Sequence, residues 1–496
     1  MRNEGTSVTD DELAEQTDVE PTRRGWKRFF VRVVVVIGIL LIASFITRWQ
    51  MERIGEQKLT EVVTQIDNED RAWKMEEIEA KRLARMPLPN ENAASLVLEI
   101  ADKIPAEWNQ WRETAKWMIP TPDNYLPSPE RIQELHFHKE STQAIRDRAH
   151  TIRDRPTGYY TFKWPDNPLS LFLPHLDSAG RVVMLLEYDA RLAVCDRDPD
   201  RGIRAAHAVL DVARSIGDEP TLVSQNFRMM FRLKSAITAL GTLAATTPTK
   251  GLEQLQAAFL ADADEPLFLY GARGERAAFH RMFDGLESGR LRSMNLFTAH
   301  GETGTPIAEP AVFKFYQPLL PGDHAECMRR FTAFIDVAKL PWHEQREAAA
   351  KVAMSQETPE GMQYALTRLL FAPLDRILES SLRNRAHLLI AATAIACERF
   401  RQQHGRWPHE LSEIPRTILP SIPLSPFDGE PLRYRILPDR IVLTCYCWKI
   451  GQEQPVEFRD QKAGPVEFRY PESPGFGIAA CVWNPDQRGL PFSEKR

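Results

Sequence analysis

An acid and an arginine stand side by side at Glu275 and Arg276, and this pair is the first candidate for chemistry in the chain. A buried carboxyl next to a guanidinium has a shifted pKa, which is typical of catalytic acids and bases. Phe279 and Met282 follow at helical spacing, so the pair is expected on a helix. Structural ion pairs between helices use the same residue types, and the pattern favours that interpretation over a catalytic pair.

His136 and His138 form a His-Phe-His triplet, the second candidate. In a strand, alternate residues share a face, and both imidazoles would be placed to bind one metal ion. The flanking sequence has a helical pattern, which would separate the rings, and no third ligand follows at a metal-binding spacing. The chain also contains no G-x-S-x-G, S-x-x-K or H-E-x-x-H motif and no P-loop. The sequence therefore predicts no catalytic, cofactor-binding or metal-binding residue.

Three tryptophans, Trp108, Trp111 and Trp117, fall in one short helical stretch. Indole rings suit contacts with carbohydrate or with a membrane interface, but burial between helices is their more frequent role. We expect burial here, and we expect Trp407 to be a packing anchor.

The six cysteines are too few for a disulfide scaffold. Cys195 and Cys397 fall in apolar helical runs and are expected to be buried. Cys445 and Cys447 share one face of a strand-like run, so in an exported protein one of them could pair with Cys481.

The elements that position these residues begin with an apolar run at Phe29–Thr47, which contains no charge between Val33 and Ile46. As a helix the run is roughly 28 Å long, and a bilayer core is about 30 Å thick. We therefore predict a transmembrane helix with a basic flank at 23–47, in contact with the lipid bilayer. A cleaved signal peptide is the alternative, but no A-x-A-like pair of small residues ends the segment.

Charge differs between the two sides of this run. Residues 23–32 are rich in Arg and Lys, whereas only Arg48 follows the run closely. Basic residues stay on the cytoplasmic side, so we expect a cytoplasmic N-terminus and a main body outside the cytoplasm, in a bacterial inner membrane. The polar, acid-rich residues 1–22 are predicted to form a disordered cytoplasmic tail.

Composition limits the classes of function. The chain has 496 residues, of which 43% are hydrophobic, enough for more than one domain. A net charge of −5 and a pI of about 6.2 argue against a nucleic-acid partner, because binding phosphates requires a basic face.

Helices are predicted for most of the chain after the apolar run. Residues 48–86 form a charge-rich juxtamembrane helix that ends before Pro87, either as a self-associating stalk or folded against the main domain. An α-helical domain covers 87–374, where helices at 176–194, 203–216, 221–245 and 250–261 are separated by short turns. Such helical hairpins predict a solenoid-like array. Gly301–Pro321 is predicted to be a long surface loop.

The pattern changes in a C-terminal α+β module at 375–496. A helix at 377–404 ends at Gly405, a proline-rich loop follows, and strands are predicted at 432–436 and 441–446. Further short strands are expected at 456–458 and 466–468. The fold class is therefore mainly α, with a single N-terminal transmembrane helix, a helical hairpin domain and a small module with a short antiparallel sheet.

Parts of this module carry a family resemblance. The motifs His404-Gly405-Arg406-Trp407-Pro408 and Pro426-Phe427-Asp428-Gly429-Glu430-Pro431 make residues 395–447 similar to the C-terminal region of type II secretion major pseudopilins. The resemblance implies a long helix followed by a small antiparallel sheet. The calcium loop and the prepilin cleavage site of that family are missing, so pilin-type processing is not expected. The overall layout, with segments 67–80, 89–92 and 271–277, also resembles a family of membrane-anchored bacterial proteins with a helical middle and no known activity.

These observations predict a non-enzymatic, membrane-anchored interaction or scaffold protein of the cell envelope. A protein partner is expected, in a secretion or pilus-like assembly, and no cofactor or nucleic acid. The alternative is an exported hydrolase with an acidic site around Glu275. A third possibility, a minor pilus component, would require N-terminal processing.

Overall fold

The structure is a computed structural model, which describes residues 23–114, 124–155, 157–292, 311–355, 362–370, 373–447 and 476–491. It confirms the mainly α fold with a small antiparallel sheet near the C-terminus. The helices are α1 (Arg23–Glu69), α2 (Met75–Leu83), α3 (Ala93–Lys103), α4 (Ala106–Thr114), α5 (Pro129–His136), α6 (Lys139–His150), α7 (Pro174–Cys195), α8 (Pro199–Ser215), α9 (Leu222–Ala245), α10 (Leu252–Ala263), α11 (Leu267–Glu287), α12 (Ala311–Tyr316), α13 (Leu320–Ala338), α14 (Trp342–Ser355), α15 (Ala365–Leu370) and α16 (Leu374–His404). The strands are β1 (Tyr125–Leu126), β2 (Arg433–Ile436), β3 (Arg440–Cys447), β4 (Phe476–Trp483) and β5 (Leu490–Pro491).

Helix α1 contains the apolar run, and it is long and apolar enough to cross a membrane. No residue of its most apolar part is buried against the rest of the protein. A signal sequence near the N-terminus meets the same criterion of length and apolar composition. The predicted tail at 1–22 lies outside the described residues.

The single juxtamembrane helix predicted for 48–86 is wrong, because the chain breaks at 70–74 between α1 and α2. Ala72 has a φ of +58°, a value that ends a helix, and Trp73 is 1% exposed. The Trp73 indole donates to Asp67 at 2.8 Å, and Asp70 binds Arg273 and Arg276 of α11. Burial of these side chains outweighs continuation of the helix. The end of α1 packs on α13, so it folds against the body.

The predicted helical hairpins at 176–261 are confirmed as α7, α8, α9 and α10, with ends shifted by a few residues at most. Their starts have clear causes: Asp198 accepts the N–H of Arg201 at 3.1 Å, and Thr221 accepts that of Ser224 at 2.8 Å. Apolar faces then pack α7 on α8 and α8 on α9. The loop predicted for Gly301–Pro321 is wrong for its second half, because α12 begins at Ala311 and α13 contains Pro321 in its first turn.

The C-terminal residues share a core with the hairpins. Ile395 of α16 belongs to one hydrophobic cluster with Leu240 of α9, Leu255 of α10 and Leu443 of β3. Gly405 ends α16 at a φ of +73°, the left-handed cap expected from the sequence. The sheet has the antiparallel order β2-β3-β4, with Thr444 opposite Arg433 and Ala479 opposite Thr444.

Three of the five described strands, β1, β4 and β5, were not predicted. β4 completes the sheet from the far side of 448–475, a segment outside the described residues that includes the expected strands at 456–458 and 466–468. β5 pairs in parallel with β1, which ties the C-terminal segment to the helical part.

Candidate functional site

The structure directs Glu275 and Arg276 to different neighbours of α11. Glu275 accepts the N–H of Leu222 at 3.1 Å, at the first turn of α9. Burial raises the pKa of the Glu275 carboxyl to about 7, and the Leu222 hydrogen bond opposes this shift. Arg276, 1% exposed, binds Asp70 and lies 5.3 Å from the centre of the Trp73 ring. The two side chains do not form a pair: each joins α11 to a different neighbour.

The two histidines of the His-Phe-His triplet are also separated. His136 ends α5 and contacts Asp196 through Nε2 at 2.9 Å, whereas His138 precedes α6 and packs on Trp111 with ring centres 5.1 Å apart. Among the described residues, no group of three or more His, Cys, Asp or Glu side chains has a metal-binding arrangement.

Trp108 is fully buried and lies against Tyr188 at 5.9 Å between ring centres, which confirms burial between helices. Trp111 is partly buried against the same tyrosine, and Trp117 lies outside the described residues. Trp407 packs against the core and its indole donates to Asn484 at 2.7 Å, so it anchors the turn after α16.

The register of the sheet decides the cysteine question. Cys445 lies opposite Ile478, and Cys481 lies opposite Val442. A separation of three residues along the ladder is about 10 Å and turns the two side chains to opposite faces, which exceeds the reach of a disulfide. Cys447 lies opposite Phe476, still farther from Cys481. Cys397 is buried as expected, and Cys195 is partly buried.

A groove of about 610 Å³ lies where the hairpins meet the proline-rich loop. This volume is within the range of ligand-binding clefts. The groove is bounded by the end of α10, the start of α14, the middle of α16 and the loop 420–426. None of the residues considered for chemistry from sequence lines it.

One wall of the groove is the ring of Trp342, with the Arg385 guanidinium 4.6 Å from the ring centre. Arg385 is held by Asp264 at 2.7 Å and by the carbonyl of Ala263. A guanidinium held in this way positions the indole it covers. This wall is therefore an aromatic surface with a charged rim.

The loop 420–426 forms another part of the lining, and Pro420, Pro423 and Pro426 restrict its backbone. Gln256 donates to the carbonyl of Ile418 at 2.5 Å and Leu432 donates to that of Pro423 at 3.0 Å, so both ends of the loop are anchored. Leu424 is 53% exposed.

In the same loop, the amides of Ser421 and Ile422 make no hydrogen bond within the described part of the chain. An extended segment placed in the groove would find apolar contacts and free backbone groups together.

A smaller cavity of about 240 Å³ is lined by Arg153, Arg204, His207 and Lys250. His207 lies 4.0 Å from Asp211 on α8. Burial raises the pKa of Asp211 to about 7, against the effect of nearby arginines, and burial lowers the pKa of His207 to about 4. Asp211 does not line the cavity, so it does not present an acid to a ligand there.

A comparison of the chain with protein families, with curated proteins and with solved structures found no match. The resemblance of residues 395–447 to the major pseudopilins therefore stays a prediction. The groove and the exposed apolar helix are the two features from which a function can be argued.

Proposed function

We propose that this protein is a single-span membrane protein whose body binds an extended segment of a partner protein in the groove beside Trp342. The N-terminus is cytoplasmic and the body lies outside the cytoplasm, in the bacterial cell envelope. The observation that carries the proposal is the groove itself, which is lined both by the Trp342 ring and by a proline-rich loop whose Ser421 and Ile422 amides make no hydrogen bond within the described residues. The resemblance to the pseudopilins supports a partner from a secretion or pilus-like assembly.

The anchor is supported by two features of α1. Its apolar part is exposed throughout, which only a lipid environment would accommodate over this length. The same helix then runs without a break into Ile66, which is 1% exposed in the core of the body. Cleavage after the apolar part would cut a helix that the body holds, so we expect an uncleaved anchor.

The alternative of an exported hydrolase has less support. Glu275 accepts a hydrogen bond at the start of α9, and it lines neither of the two cavities described above. An acidic site would require a second acid across a cavity from it.

The groove is tested with a photo-crosslinking amino acid at Leu424, with Leu169 as the control position because it is exposed to a similar degree, 47% against 53%. We expect one discrete adduct at position 424 in intact membranes, mapped by peptide sequencing to a single segment of a single protein. The additional substitution Trp342→Ala should remove most of this adduct while the protein keeps its cooperative thermal unfolding. An adduct that is equally strong at Leu169, or that survives Trp342→Ala, would contradict the groove as the binding site.

The anchor is tested separately. We expect the protein to resist carbonate extraction and to keep its own N-terminus in the mature form. Protease added to spheroplasts should digest the body, and a protected body would reverse the proposed orientation.

A further inference from the structure

The body meets α1 directly where the apolar run ends. Arg48, the first residue after Thr47, donates through Nη2 to the carbonyl of Lys314 at 2.9 Å. Residues before Arg48 in the run are exposed almost without exception, so this contact marks the edge of the body. The contacting element is α12 together with the turn that follows it.

A close backbone contact fixes this arrangement. A Cβ atom on Gly55 would lie 2.7 Å from the amide nitrogen of Gly322, so only glycine lets α1 approach α13 this closely. Gly55 is about 12 Å beyond Thr47 along the helix axis. No flexible linker therefore separates the apolar run from the body, and the height of α12 along α1 is set by packing.

That height corresponds to the headgroup layer if the apolar run fills the bilayer core. The layer is about 5–7 Å thick on each side, which equals about four residues of helix after Thr47. The side chains at this level are large, apolar and exposed: Trp49 is 52% exposed and Phe315 is 72% exposed. Arg48 lies 5.9 Å from the centre of the Phe315 ring, and Lys314 is beside it. Aromatic residues with Arg and Lys are typical of membrane–water interfaces.

We propose that Trp49 and Phe315, with Arg48 and Lys314, form a lipid-contacting surface that seats the body on the bilayer. The partner is the lipid headgroup layer, and the argument for it is continuity with the apolar run. The inference depends on the proposed anchor, since without insertion of α1 this surface would not reach lipid. Phe315 enters the interface from α12, so the body touches the membrane at a second point beside the span.

The test uses the full-length protein in phosphatidylcholine nanodiscs with the variants Phe315→Cys and Phe137→Cys, each labelled with an environment-sensitive NBD probe. Phe137 is the matched control, because it is 76% exposed and lies at the end of α5, which does not pack on α1. The unsubstituted protein, labelled in parallel, supplies the background from the native cysteines. Nanodiscs are prepared with and without lipids that carry a doxyl quencher near the headgroup.

We expect doxyl lipid to reduce the NBD emission at position 315 by about twofold or more, because the probe lies within the headgroup layer, and to leave position 137 unchanged. Equal emission at 315 with and without the quencher, in protein that is inserted in the disc, would overturn the inference and leave the anchor intact. A blue-shifted but unquenched probe at 315 would assign the surface to a second copy or another protein. Failure to insert would instead contradict the proposed function.

Discussion

Replacing Glu275 with glutamine removes a partly buried carboxyl of α11 that accepts a hydrogen bond from the start of α9. Burial raises its pKa from 4.5 to about 7, although the Leu222 amide stabilises the charged form. Between these values the carboxyl ionises in the unfolded chain but stays protonated in the folded protein, so the folded state loses stability as the pH rises through this range. The whole shift corresponds to about 3 kcal/mol, an upper value because the side chain keeps some exposure.

Glutamine keeps the acceptor for the Leu222 amide and cannot ionise. The unfolding entropy is about 2.1 cal/mol/K per residue, so 3 kcal/mol in a chain of this length is a Tm change of about 3 °C. The Tm of the full-length protein in detergent is measured by intrinsic fluorescence at pH values from acidic to alkaline. We expect Glu275→Gln and the unsubstituted protein to unfold together near the lower pKa, and the variant to unfold about 1–3 °C higher at alkaline pH.

Glu253→Gln is the matched control, because its side chain lies on a helix and is 70% exposed. Its ion pair with Arg399, at 3.4 Å, is exposed on the Glu253 side, so its substitution should change Tm by less than that of Glu275. If Glu275→Gln is no more stable than the unsubstituted protein at alkaline pH, the carboxyl is not desolvated and the reasoning is refuted. Loss of a hydrolase activity in this variant, with Tm raised as expected, would revive the enzymatic alternative.

Two further predictions concern packing and a buried ion pair, and both are measured as Tm. Gly274→Ala would place a Cβ 1.8 Å from the carbonyl oxygen of Pro220, so we expect the free energy of unfolding to fall by about 1–3 kcal/mol or more. The control Gly241→Ala has nothing within 4 Å of its Cβ and should raise the free energy of unfolding by about 0.5–1 kcal/mol. Equal effects of the two substitutions would contradict the close contact at Gly274. Arg488→Met removes one of the two arginines that bind the buried Glu398 carboxylate, at 2.8 Å, and leaves Arg401 in place, so we expect a cost of about 1–3 kcal/mol at neutral pH. Burial alone would raise the pKa of Glu398, but hydrogen bonds from arginines lower it to about 2. The stability lost in Arg488→Met should therefore become smaller as the pH falls below 4.5, where the carboxylate begins to be protonated in the unfolded chain. A stability loss that does not change with pH would argue against the ion pair.

Local sequence patterns were sufficient for most helices and for two of the three strands in the sheet. The hairpin helices were predictable because apolar residues recur at helical spacing between turns with Asp, Gly and Pro. β4 was missed because Phe476–Trp483 is a short, continuous apolar run, and periodicity does not distinguish such a run from a buried helical segment. The break after α1 was missed because it is caused by distant partners of Asp70 and Trp73.

The candidate site was the least predictable part. Trp342 and Arg385 are 43 residues apart in the chain, and no spacing rule relates them to the loop 420–426. Glu275 and Arg276 are adjacent in the sequence but do not form one site, because neighbouring residues on a helix point about 100° apart and reach different elements.

The sequence by itself determined the apolar helix, the helical class of the body and the proline-rich loop, because each depends on residues that are close along the chain. Only the tertiary structure decided which side chains meet: the partners of Glu275 and Arg276, the groove beside Trp342, and the level at which α12 lies against α1. These contacts join segments separated by tens to hundreds of residues. They depend on how helices pack, and that depends on the shape of the whole core.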